Sequence, residues 1–272
     1  MSLKGKNVII TGATSGIGEA IATALSQNGA SVFLGGRRAD KGEEVAKSIG
    51  AGFHVVDVAR EDSNQAFFEA AQTHFGGVQT VDYIFLNAGV EGSAEKTAIT
   101  SMDISEYEFV FGINVRGVLF GLQYGTPLLR KSGTFVLTSS AGSILPFAAL
   151  PVYAASKSAV DGLVRSYAAQ FQSATDERIQ SLSILGINPG VYGSEMLGRV
   201  SGGNTDMMEG MGAAFNVSGR IGQTQELAAT MVQLLEGKLP YKSGDLIAVD
   251  ADLHMHLAEY LVRLLKRTSA SG

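Results

Sequence analysis

The sequence contains no cysteine among its 272 residues, so disulfides and thiolate chemistry are excluded. It also has no apolar run near the roughly 18 residues that a membrane-spanning helix requires. The net charge is −5 and the basic residues are scattered, so we expect neither a nucleic-acid nor a membrane partner. The first residues lead straight into a strand-like run instead of a signal peptide. Together these absences predict a cytoplasmic protein.

Metal ligands are also scarce in this sequence. The four histidines, at positions 54, 74, 254 and 256, do not stand with acidic residues at ligand spacing, so we expect no metal site. Hydrophobic residues make up 45% of the chain, which indicates a large core. Strand and helix patterns alternate along the whole length without a repeat or a linker. This organisation predicts one domain over residues 1–272.

Seven short apolar runs alternate with helical patterns along the chain. Continuous apolar runs of this kind are typical of strands that are buried on both faces. The predicted strands cover residues 8–11, 31–35, 54–57, 83–87, 134–138, 179–187 and 245–249. We therefore predict an α/β fold with a doubly wound (Rossmann), mostly parallel seven-stranded sheet and helices on both faces.

A glycine-rich turn follows the first predicted strand. Gly12, Gly16 and Gly18 are spaced G-x-x-x-G-x-G, and a helical pattern begins among them. Glycine lets the backbone approach a ligand, and the amides of a helix N-terminus point at an anion. The turn therefore predicts a phosphate cradle for a dinucleotide. The alternative is a plain turn between a strand and a helix.

The end of the second predicted strand indicates which dinucleotide is bound. An NAD site usually carries an acidic residue there, which accepts a hydrogen bond from the ribose 2′-hydroxyl. This chain has Arg37 and Arg38 instead. A guanidinium binds a 2′-phosphate through charge-assisted hydrogen bonds. We therefore predict NADP, with NAD as the alternative cofactor; the competing interpretation makes Arg37 an exposed turn residue.

Further polar residues follow the other predicted strands. Asp57 ends the third strand, where it either accepts a hydrogen bond from an adenine amino group or serves as a turn residue. The Asn-Ala-Gly turn at 87–89 lets the backbone pass close to a ligand. Asn114 is a mild misfit inside a long helix predicted from Ser105. Ser140 stands at the carboxyl end of the fifth strand, the edge at which such sheets bind ligands.

Tyr153 and Lys157 are four residues apart at the start of a helical pattern. Residues at this spacing share a helix face, so the Lys157 ammonium can lie near the Tyr153 hydroxyl. A free tyrosine has a pKa near ~10, and one cation at about 4 Å can supply the roughly 4 kcal/mol that brings it to about 7. The pair therefore predicts a general acid/base. The alternative is a surface lysine beside a packed tyrosine.

The stretch from 195 to 222 is rich in glycine and methionine and has no firm period. An excursion of this length is usually either a functional lid or disordered. Because methionines are adaptable apolar fillers, we predict a lid over a mainly apolar substrate. The alternative is a loosely packed satellite core. Beyond the last strand, an amphipathic helix and a tail are predicted over residues 253–272.

Taken in order, these motifs resemble those of the short-chain dehydrogenase/reductase family over nearly the whole chain. The matching features include the T-G-x-x-x-G-I-G turn at 11–18, the Y-x-x-x-K pair at 153–157, and Ser140 thirteen positions before the tyrosine. The resemblance implies a catalytic tetrad, which consists of Asn114, Ser140, Tyr153 and Lys157.

The resemblance also implies a role for each member of the tetrad. Tyr153 would exchange a proton with the substrate oxygen, and Ser140 would polarise that oxygen. Lys157 would lower the pKa of Tyr153 and bind the nicotinamide ribose. Asn114 would hold a water that links Lys157 to solvent.

The same resemblance implies which residues contact the ligands. The cofactor contacts would be Gly12, Thr14, Ser15, Gly16, Ile17, Gly18, Arg37, Arg38, Asp57, Val58, Asn87, Ala88, Gly89, Tyr153, Lys157, Pro189, Gly190, Val191 and Ser194. The substrate contacts would be Ser140, Phe147, Tyr153, Tyr192 and Met196.

The chain departs from the family pattern at two positions that bear on these contacts. Tyr192 stands where a small aliphatic residue is usual. Ser15 stands where NADP-preferring members often carry a basic residue, so Arg37 must carry most of the preference for NADP.

The resemblance implies an NADP-dependent oxidoreductase that interconverts a ketone and a secondary alcohol on an apolar or ring-bearing small molecule. The alternatives are an NAD-dependent dehydrogenase or 3-oxoacyl-thioester reductase of the same family, a non-redox member, and an NADP-sensing regulator without turnover. The apolar stripe of the C-terminal helix and the habits of the family predict a homo-oligomer, either a dimer or a homotetramer.

Overall fold

The computed structural model describes residues 2–145, 147–251 and 253–270. The strands within these residues are β1 (Asn7–Thr11), β2 (Ser31–Gly36), β3 (Gly52–Val55), β4 (Val81–Leu86), β5 (Leu129–Thr138), β6 (Ser183–Pro189), β7 (Leu246–Asp250) and β8 (Leu253–His256). They form one sheet with the order β3-β2-β1-β4-β5-β6-β7-β8.

The helices connect successive strands. They are α1 (Gly16–Gln27), α2 (Ala39–Ile49), α3 (Glu61–Phe75), α4 (Ile104–Phe111), α5 (Gly117–Gly125), α6 (Pro151–Gln172), α7 (Glu177–Gln180), α8 (Glu195–Val200), α9 (Thr205–Phe215), α10 (Thr224–Leu235) and α11 (Leu257–Ala270). Short 3-10 segments add Glu95–Thr97, Thr126–Leu128 and Ala141–Ser143. Among the residues described, no helix is both long enough and apolar enough to span a bilayer.

Strands β1 to β7 are parallel, and β8 runs antiparallel to β7. From β1 the chain winds outward through β2 and β3, and then returns to place β4 on the other side of β1. The carboxyl ends of β1 and β4 therefore flank the point at which the winding reverses, where open α/β sheets have their ligand crevice. The predicted doubly wound, mostly parallel α/β fold is confirmed.

Helices cover both faces of the sheet. On one face, Leu25 of α1 lies in a buried cluster with Ile10 of β1. On the other face, Phe67 of α3 and Val164 of α6 lie in a second cluster with Ile9 of β1. Neighbouring residues of β1 thus point to opposite sides of the sheet, as the two-residue period of a strand requires. Apolar residues on both sides of a strand need a helical layer on each face.

Two parts of the sheet differ from the prediction. Residues 253–256, predicted to be helical, form the eighth strand, because Leu253, Met255 and Leu257 repeat with a period of two and pack in a third buried cluster. The sixth strand starts only at Ser183, because the Asp176 carboxylate caps the short helix α7 just before it. The predicted C-terminal helix begins at Leu257, and residues 252, 271 and 272 lie outside the described part of the chain.

The long helix predicted from Ser105 is interrupted. The Asp103 carboxylate accepts a hydrogen bond from the Ser105 N–H and caps α4, which begins at Ile104. A π-helical turn, Gly112–Arg116, then separates α4 from α5. Turns of this kind are rare and occur mostly at functional sites. Asn114 lies inside it.

The stretch from 195 to 222, which has no firm sequence period, contains the helices α8 and α9. Ser194 caps α8 by accepting a hydrogen bond from the Leu197 N–H. Asn204 caps α9 in the same way from the Met207 N–H. Side-chain caps of this kind stabilise short helices that propensity alone leaves marginal.

Candidate active site

A cleft at the carboxyl ends of β1, β4 and β5 brings the predicted site residues together. Its cavity has a volume of about 810 Å³ and extends from the glycine turn to the helices α8 and α9. Every predicted cofactor and substrate residue contributes to its lining. Of the predicted tetrad, Ser140, Tyr153 and Lys157 also line the cavity, whereas Asn114 is buried beside it, against the backbone of Val90.

The glycine turn has no room for side chains at two positions. A Cβ at Gly12 would lie 2.7 Å from the Cα of Ala88, and one at Gly18 would lie 2.3 Å from the carbonyl oxygen of Gly12. Gly12 and Gly16 also have φ angles of 68° and 59°, which glycine adopts readily. No side chain caps the first turn of α1, so its amides remain to bind an anion. These features fit a dinucleotide phosphate.

Asn87 joins three strands beneath this turn. Its Nδ2 atom lies 3.2 Å from the Thr11 carbonyl oxygen and 3.1 Å from that of Gly12, so it donates toward both. Its Oδ1 atom accepts a hydrogen bond of 3.1 Å from the Thr138 hydroxyl. The side chain thus links β1, β4 and β5, and the backbone from Asn87 to Gly89 faces the cavity.

Arg38 lies across the glycine turn. Its Nε and Nη2 atoms lie 3.2 and 3.1 Å from Thr14 Oγ1, and Nη2 also donates to Ser15 Oγ. Its Nη1 atom donates to one carboxylate oxygen of Glu195 at 2.7 Å. Lys41 donates to the other oxygen of Glu195 at 2.9 Å. Arg38, just before α2, and Lys41, in its first turn, therefore bind the Glu195 carboxylate of α8 across the cleft.

The sequence analysis did not select Lys41 or Glu195. Hydrogen bonds from Lys41 and Arg38 lower the pKa of Glu195 to about 2, so its carboxylate is ionised at neutral pH. Arg37 is exposed beside them. Arg38 is therefore the arginine held over the glycine turn, whereas the binding of a 2′-phosphate by Arg37, which lines the same cavity, stays a prediction.

Asp57 and Val58 lie just beyond β3, on the adenosine side of the cleft. One oxygen of Asp57 accepts a hydrogen bond from the Ala59 N–H at 3.1 Å, as a turn residue does. The same residue lines the cavity. The carbonyl oxygen of Val58 accepts a hydrogen bond from Asn64. Both interpretations of Asp57 are therefore compatible with its position.

Tyr153 and Lys157 lie on the first turns of α6, which begins with Pro151, a residue suited to that place. The Lys157 ammonium lies 5.7 Å from the centroid of the Tyr153 ring and donates to the carbonyl oxygen of Thr138 at 2.9 Å. The Ser140 side chain adjoins Tyr153 and lines the same cavity. The hydroxyl, ammonium and serine thus lie together where β5 ends and α6 begins.

Burial controls the ionisation of both residues in the protein alone. It raises the pKa of Tyr153, which the hydrogen bond from Ser140 partly lowers and the charge of Glu91 raises further. It lowers the pKa of Lys157 to about 8, against an opposing effect of Asp161. The sequence analysis expects Lys157 to lower the pKa of Tyr153. In the protein alone the net shift of the Tyr153 pKa is upward, because removal of the phenolate from water is the largest effect, and the effect expected of Lys157 stays a prediction.

Asn114 holds the loop after β4 against α6. Its Oδ1 atom accepts a hydrogen bond of 2.8 Å from the Val90 N–H, and its Nδ2 atom donates to the Val90 carbonyl oxygen at 2.9 Å. Nδ2 also donates to Ser156 Oγ at 2.9 Å, and the Ser156 hydroxyl donates to the Tyr153 carbonyl oxygen. These contacts explain a polar residue inside a helical segment.

A buried polar group behind Ser140 was not predicted. The Nδ2 atom of Asn188 lies 3.2 Å from the Ser140 carbonyl oxygen and 3.0 Å from a carboxylate oxygen of Asp161. It also lies 3.1 Å from Ser143 Oγ. Asp161 follows Lys157 by one helical turn and is buried. An aspartate on the apolar face of a helix was the signal that could have identified it.

The segment after β6 is held by a residue from the end of α9. Asn216 Oδ1 accepts a hydrogen bond of 2.7 Å from the Val191 N–H, and its Nδ2 donates to the Val191 carbonyl oxygen at 2.9 Å. A Cβ at Gly190 would lie 2.3 Å from Asn216 Oδ1, so a glycine is required there. Pro189 to Ser194 therefore borders the cavity in one defined conformation.

Aromatic residues form the substrate end of the cavity. The Phe147 ring lies 6.4 Å from the Tyr153 ring and 5.4 Å from the ring of Phe215, which the sequence analysis did not select. Met196 of α8 adds an apolar surface.

An ion pair between Glu91 and Arg199, with distances of 2.5 and 3.1 Å, connects the loop after β4 to α8.

Tyr192 is placed differently from the other predicted substrate contacts. It borders the cavity, but its side chain is buried, and its hydroxyl donates to the Ala251 carbonyl oxygen at 3.1 Å. Its ring packs on Gly222, where a Cβ would lie 2.6 Å from a ring carbon. Gly222 therefore leaves room for the large Tyr192 side chain in the core. This buried position does not favour a contact between the Tyr192 hydroxyl and a substrate.

Metal ligands do not cluster in this site. Within the described ranges, no group of three or more His, Cys, Asp or Glu residues could hold a metal ion.

Known proteins resemble this chain over most of its length. A family model described as enoyl-(acyl carrier protein) reductase matches residues 12–254. The uncharacterized oxidoreductase Lin0452 of Listeria innocua is 37% identical over 171 residues, which cover 60% of this chain and 66% of that relative. The hydroxynaphthalene reductase-like protein Arp2 of Metarhizium acridum is 31% identical over 264 residues, which cover 90% of this chain and 94% of that one.

A solved structure gives the same result for the fold. Levodione reductase superposes with a TM-score of 0.79 at 28% identity, over 91% of this chain and 97% of that one. The match to the family model covers more than half of the sequence and includes the glycine turn and the tyrosine–lysine pair. The chain therefore belongs to the short-chain dehydrogenase/reductase family of NAD(P)-dependent oxidoreductases.

Proposed function

We propose that this chain is an NADP-dependent oxidoreductase that interconverts a ketone and a secondary alcohol on an apolar or ring-bearing small molecule. One observation carries the proposal: the side chains of Ser140 and Tyr153 interact in a cavity that also contains Lys157 and the glycine turn. Two adjacent hydroxyls can bind a single carbonyl oxygen, and the turn can hold a nucleotide phosphate in the same cavity.

Tyr153 is assigned the proton transfer. In the reducing direction its hydroxyl gives a proton to the substrate oxygen, and in the oxidising direction the phenolate takes a proton back. Burial raises the pKa of Tyr153, which keeps it protonated at neutral pH and suits the reducing direction. Ser140 Oγ accepts a hydrogen bond from the Gly142 N–H, so its own proton remains to be donated to that oxygen. The nicotinamide cofactor supplies or accepts the hydride when it is bound.

The cofactor would be held by both ends of the cleft. The free amides of the first turn of α1 would bind the pyrophosphate, and the backbone at Val191 would meet the carboxamide. Arg38 and Lys41 would bind the 2′-phosphate of NADP, because no acidic residue follows β2 directly. One observation favours NAD as the second candidate: the Glu195 carboxylate already occupies Arg38.

The substrate class follows from the side chains at the other end of the cavity. Phe147, Phe215, Leu150 and Met196 are apolar and line it near Tyr153. Rings pack well against aromatic walls of this kind. The relative that is named for a hydroxynaphthalene, an aromatic ring compound, supports a ring-bearing substrate.

The proposal extends to the organisation of the protein. We infer one domain over residues 1–272, with 195–222 as a substrate lid, a dimeric or tetrameric assembly and a cytoplasmic location. The contacts of α8 and α9 with the cavity support the lid. Exposed apolar side chains on α4 and α5 support the assembly.

The test is a panel of ketones and secondary alcohols, assayed with NADPH, NADH and their oxidised forms through the nicotinamide absorbance. We expect turnover of cyclic and aryl ketones, with a lower KM for NADPH than for NADH. Tyr153→Phe should lower kcat by about 10²–10⁴-fold, because it removes the general acid/base, and should leave the Kd for cofactor nearly unchanged.

Tyr167→Phe is the matched control, since Tyr167 lies further along α6 and outside the cavity lining. It should leave kcat within about twofold. An unchanged kcat in Tyr153→Phe would contradict the assigned role. No turnover of any carbonyl, with cofactor binding intact, would favour the regulator instead.

A further inference from the structure

Glu195 joins the two sides of the proposed cofactor cleft beside the glycine turn. It is the first residue of α8, and its two carboxylate oxygens are shared between two cations that flank the start of α2. Arg38 donates to one oxygen at 2.7 Å, and Lys41 donates to the other at 2.9 Å. We call this group of three residues the ionic bridge. Arg38 and Glu195 both line the cavity.

In the ionic bridge, the Nη1 atom of Arg38 binds Glu195, while the rest of its guanidinium faces the glycine turn. The remaining donors of Arg38 are directed to the hydroxyls of Thr14 and Ser15, next to the N-terminus of α1. An arginine held in this way presents its last N–H groups to an anion. In this structure that anion is the Glu195 carboxylate, so a second anion must compete with it.

Charge decides what this competition means for the cofactor. A 2′-phosphate on the adenosine ribose would be attracted by Arg38 and Lys41, and it would be repelled by the ionised Glu195. A free 2′-hydroxyl carries no charge and leaves the bridge in place. The bridge residues are about half exposed, so their mutual attraction is weak and a phosphate can displace the carboxylate.

We propose that Glu195 is a specificity-determining residue. Its carboxylate competes with the 2′-phosphate of NADP for Arg38 and Lys41, and it thereby reduces the ratio of the affinity for NADP to the affinity for NAD. This inference rests on the proposed function, because it takes the cleft to be the cofactor site. Binding of a 2′-phosphate would also separate α8 from the β2–α2 connection. On its substrate side α8 would stay attached through Arg199 and Glu91.

The test uses two fragments that carry the adenosine end of each cofactor, adenosine 2′,5′-bisphosphate for NADP and AMP for NAD. Their Kd values are measured by isothermal titration calorimetry for the wild type and Glu195→Gln at low salt. We expect the variant to bind the bisphosphate about three- to tenfold more tightly, and AMP with a Kd within about twofold of the wild type. Glu209→Gln is the matched control, since it removes the same charge from an exposed position on α9. It should change neither Kd.

A double-mutant cycle with Arg38→Gln makes the test specific to the ionic bridge. In the Arg38→Gln background, Glu195→Gln should improve bisphosphate binding by a smaller factor than in the wild type, because one of the two shared cations is gone and only Lys41 remains. An equal gain for both fragments, or weaker bisphosphate binding in Glu195→Gln, would overturn the inference while leaving the cofactor site intact. If the wild type binds neither fragment and neither NADPH nor NADH, the proposed function and the inference both fail.

Discussion

Lys157 illustrates how a proposed catalytic residue can reduce stability. Only 3% of its surface is exposed, and burial lowers its pKa to about 8 from 10.5. Below pH 8 the folded protein must carry a buried ammonium, whereas the unfolded chain carries the same charge in water. The destabilisation is therefore fully present below pH 8, and it is relieved as the pH rises from 8 to 10.5.

We predict that Lys157→Met raises the free energy of unfolding at pH 7 by about 1–3 kcal/mol, while it abolishes activity. The gain should shrink above pH 8, because the wild-type lysine then loses its proton and its penalty. Urea unfolding between pH 6 and 10 measures this. Lys47→Met, at an exposed position on α2, is the control and should give no gain of this size. A gain that did not vary with pH would contradict the explanation.

Other contacts of the site could not be predicted from the sequence. Asn188 and Asp161 are 27 positions apart, and Arg38 and Glu195 are 157 apart. Only the fold brings such pairs together, since no periodicity or local motif relates them. Gly12, Ser140 and Tyr153 were identifiable because their roles depend on near neighbours in the chain.

At the scale of elements, the segment that returns from α9 to α10 is held more firmly than the rest of the predicted lid. Asn216 is fully buried and bonds to both backbone groups of Val191. The Asp250 carboxylate accepts hydrogen bonds from the backbone and hydroxyl of Ser218. If the lid opens, we therefore expect α8 and α9 to move while this returning segment stays in place.

We predict that Asn216→Ala lowers the free energy of unfolding by about 2–4 kcal/mol, because it removes the buried side-chain hydrogen bonds to Val191 and Arg220 and leaves the Val191 N–H without its partner. It should also raise the Kd for cofactor, since Val191 is the proposed carboxamide contact. Chemical denaturation and calorimetry measure the two effects.

Asn204→Ala removes an exposed cap of α9 and is the matched control. It should cost no more than about 1 kcal/mol and leave the cofactor Kd unchanged. Equal effects of the two substitutions would contradict the anchoring role of Asn216.

The type of each element was predictable where the apolar periodicity was strong. The prediction failed where contacts with neighbouring elements determine the type. The apolar run of β1 and the stripe of α6 were both correctly assigned. Residues 253–256 contain apolar residues that suit either a strand or a helix, and the free edge of β7 decides in favour of a strand. The π-helical turn at Gly112–Arg116 was not predicted from helix propensity, and Asn114, which lies inside it, bonds to Val90 far away in the sequence.

At the scale of the whole molecule, one surface carries several large apolar side chains. Ile104 is 65% exposed on α4, and Leu119 is 37% exposed on α5. Tyr107 adds to the same pair of helices at 41%. These exposed apolar side chains on two consecutive helices agree with the homo-oligomer expected from the sequence.

We predict that the wild type sediments as a dimer or tetramer and that the double substitution Ile104→Arg and Leu119→Arg reduces the mass to that of a smaller species. Removing a charged residue from water at the centre of an apolar interface has a large free-energy cost. Val78→Arg, which alters an exposed apolar residue in the loop after α3, is the control and should keep the wild-type mass. An unchanged mass in the double variant would place the interface elsewhere.

The helix α11 reaches back to the wall of the substrate pocket. The Tyr260 hydroxyl donates to the Phe215 carbonyl oxygen, and Arg267 donates to the carbonyl oxygens of Ala213 and Asn216. The Phe215 ring in turn touches Phe147. During synthesis on the ribosome, the Phe215 wall of the cavity can therefore reach its final position only after translation has passed Arg267. The glycine turn lies near the start of the chain, so the two ends of the cavity would be completed at different times.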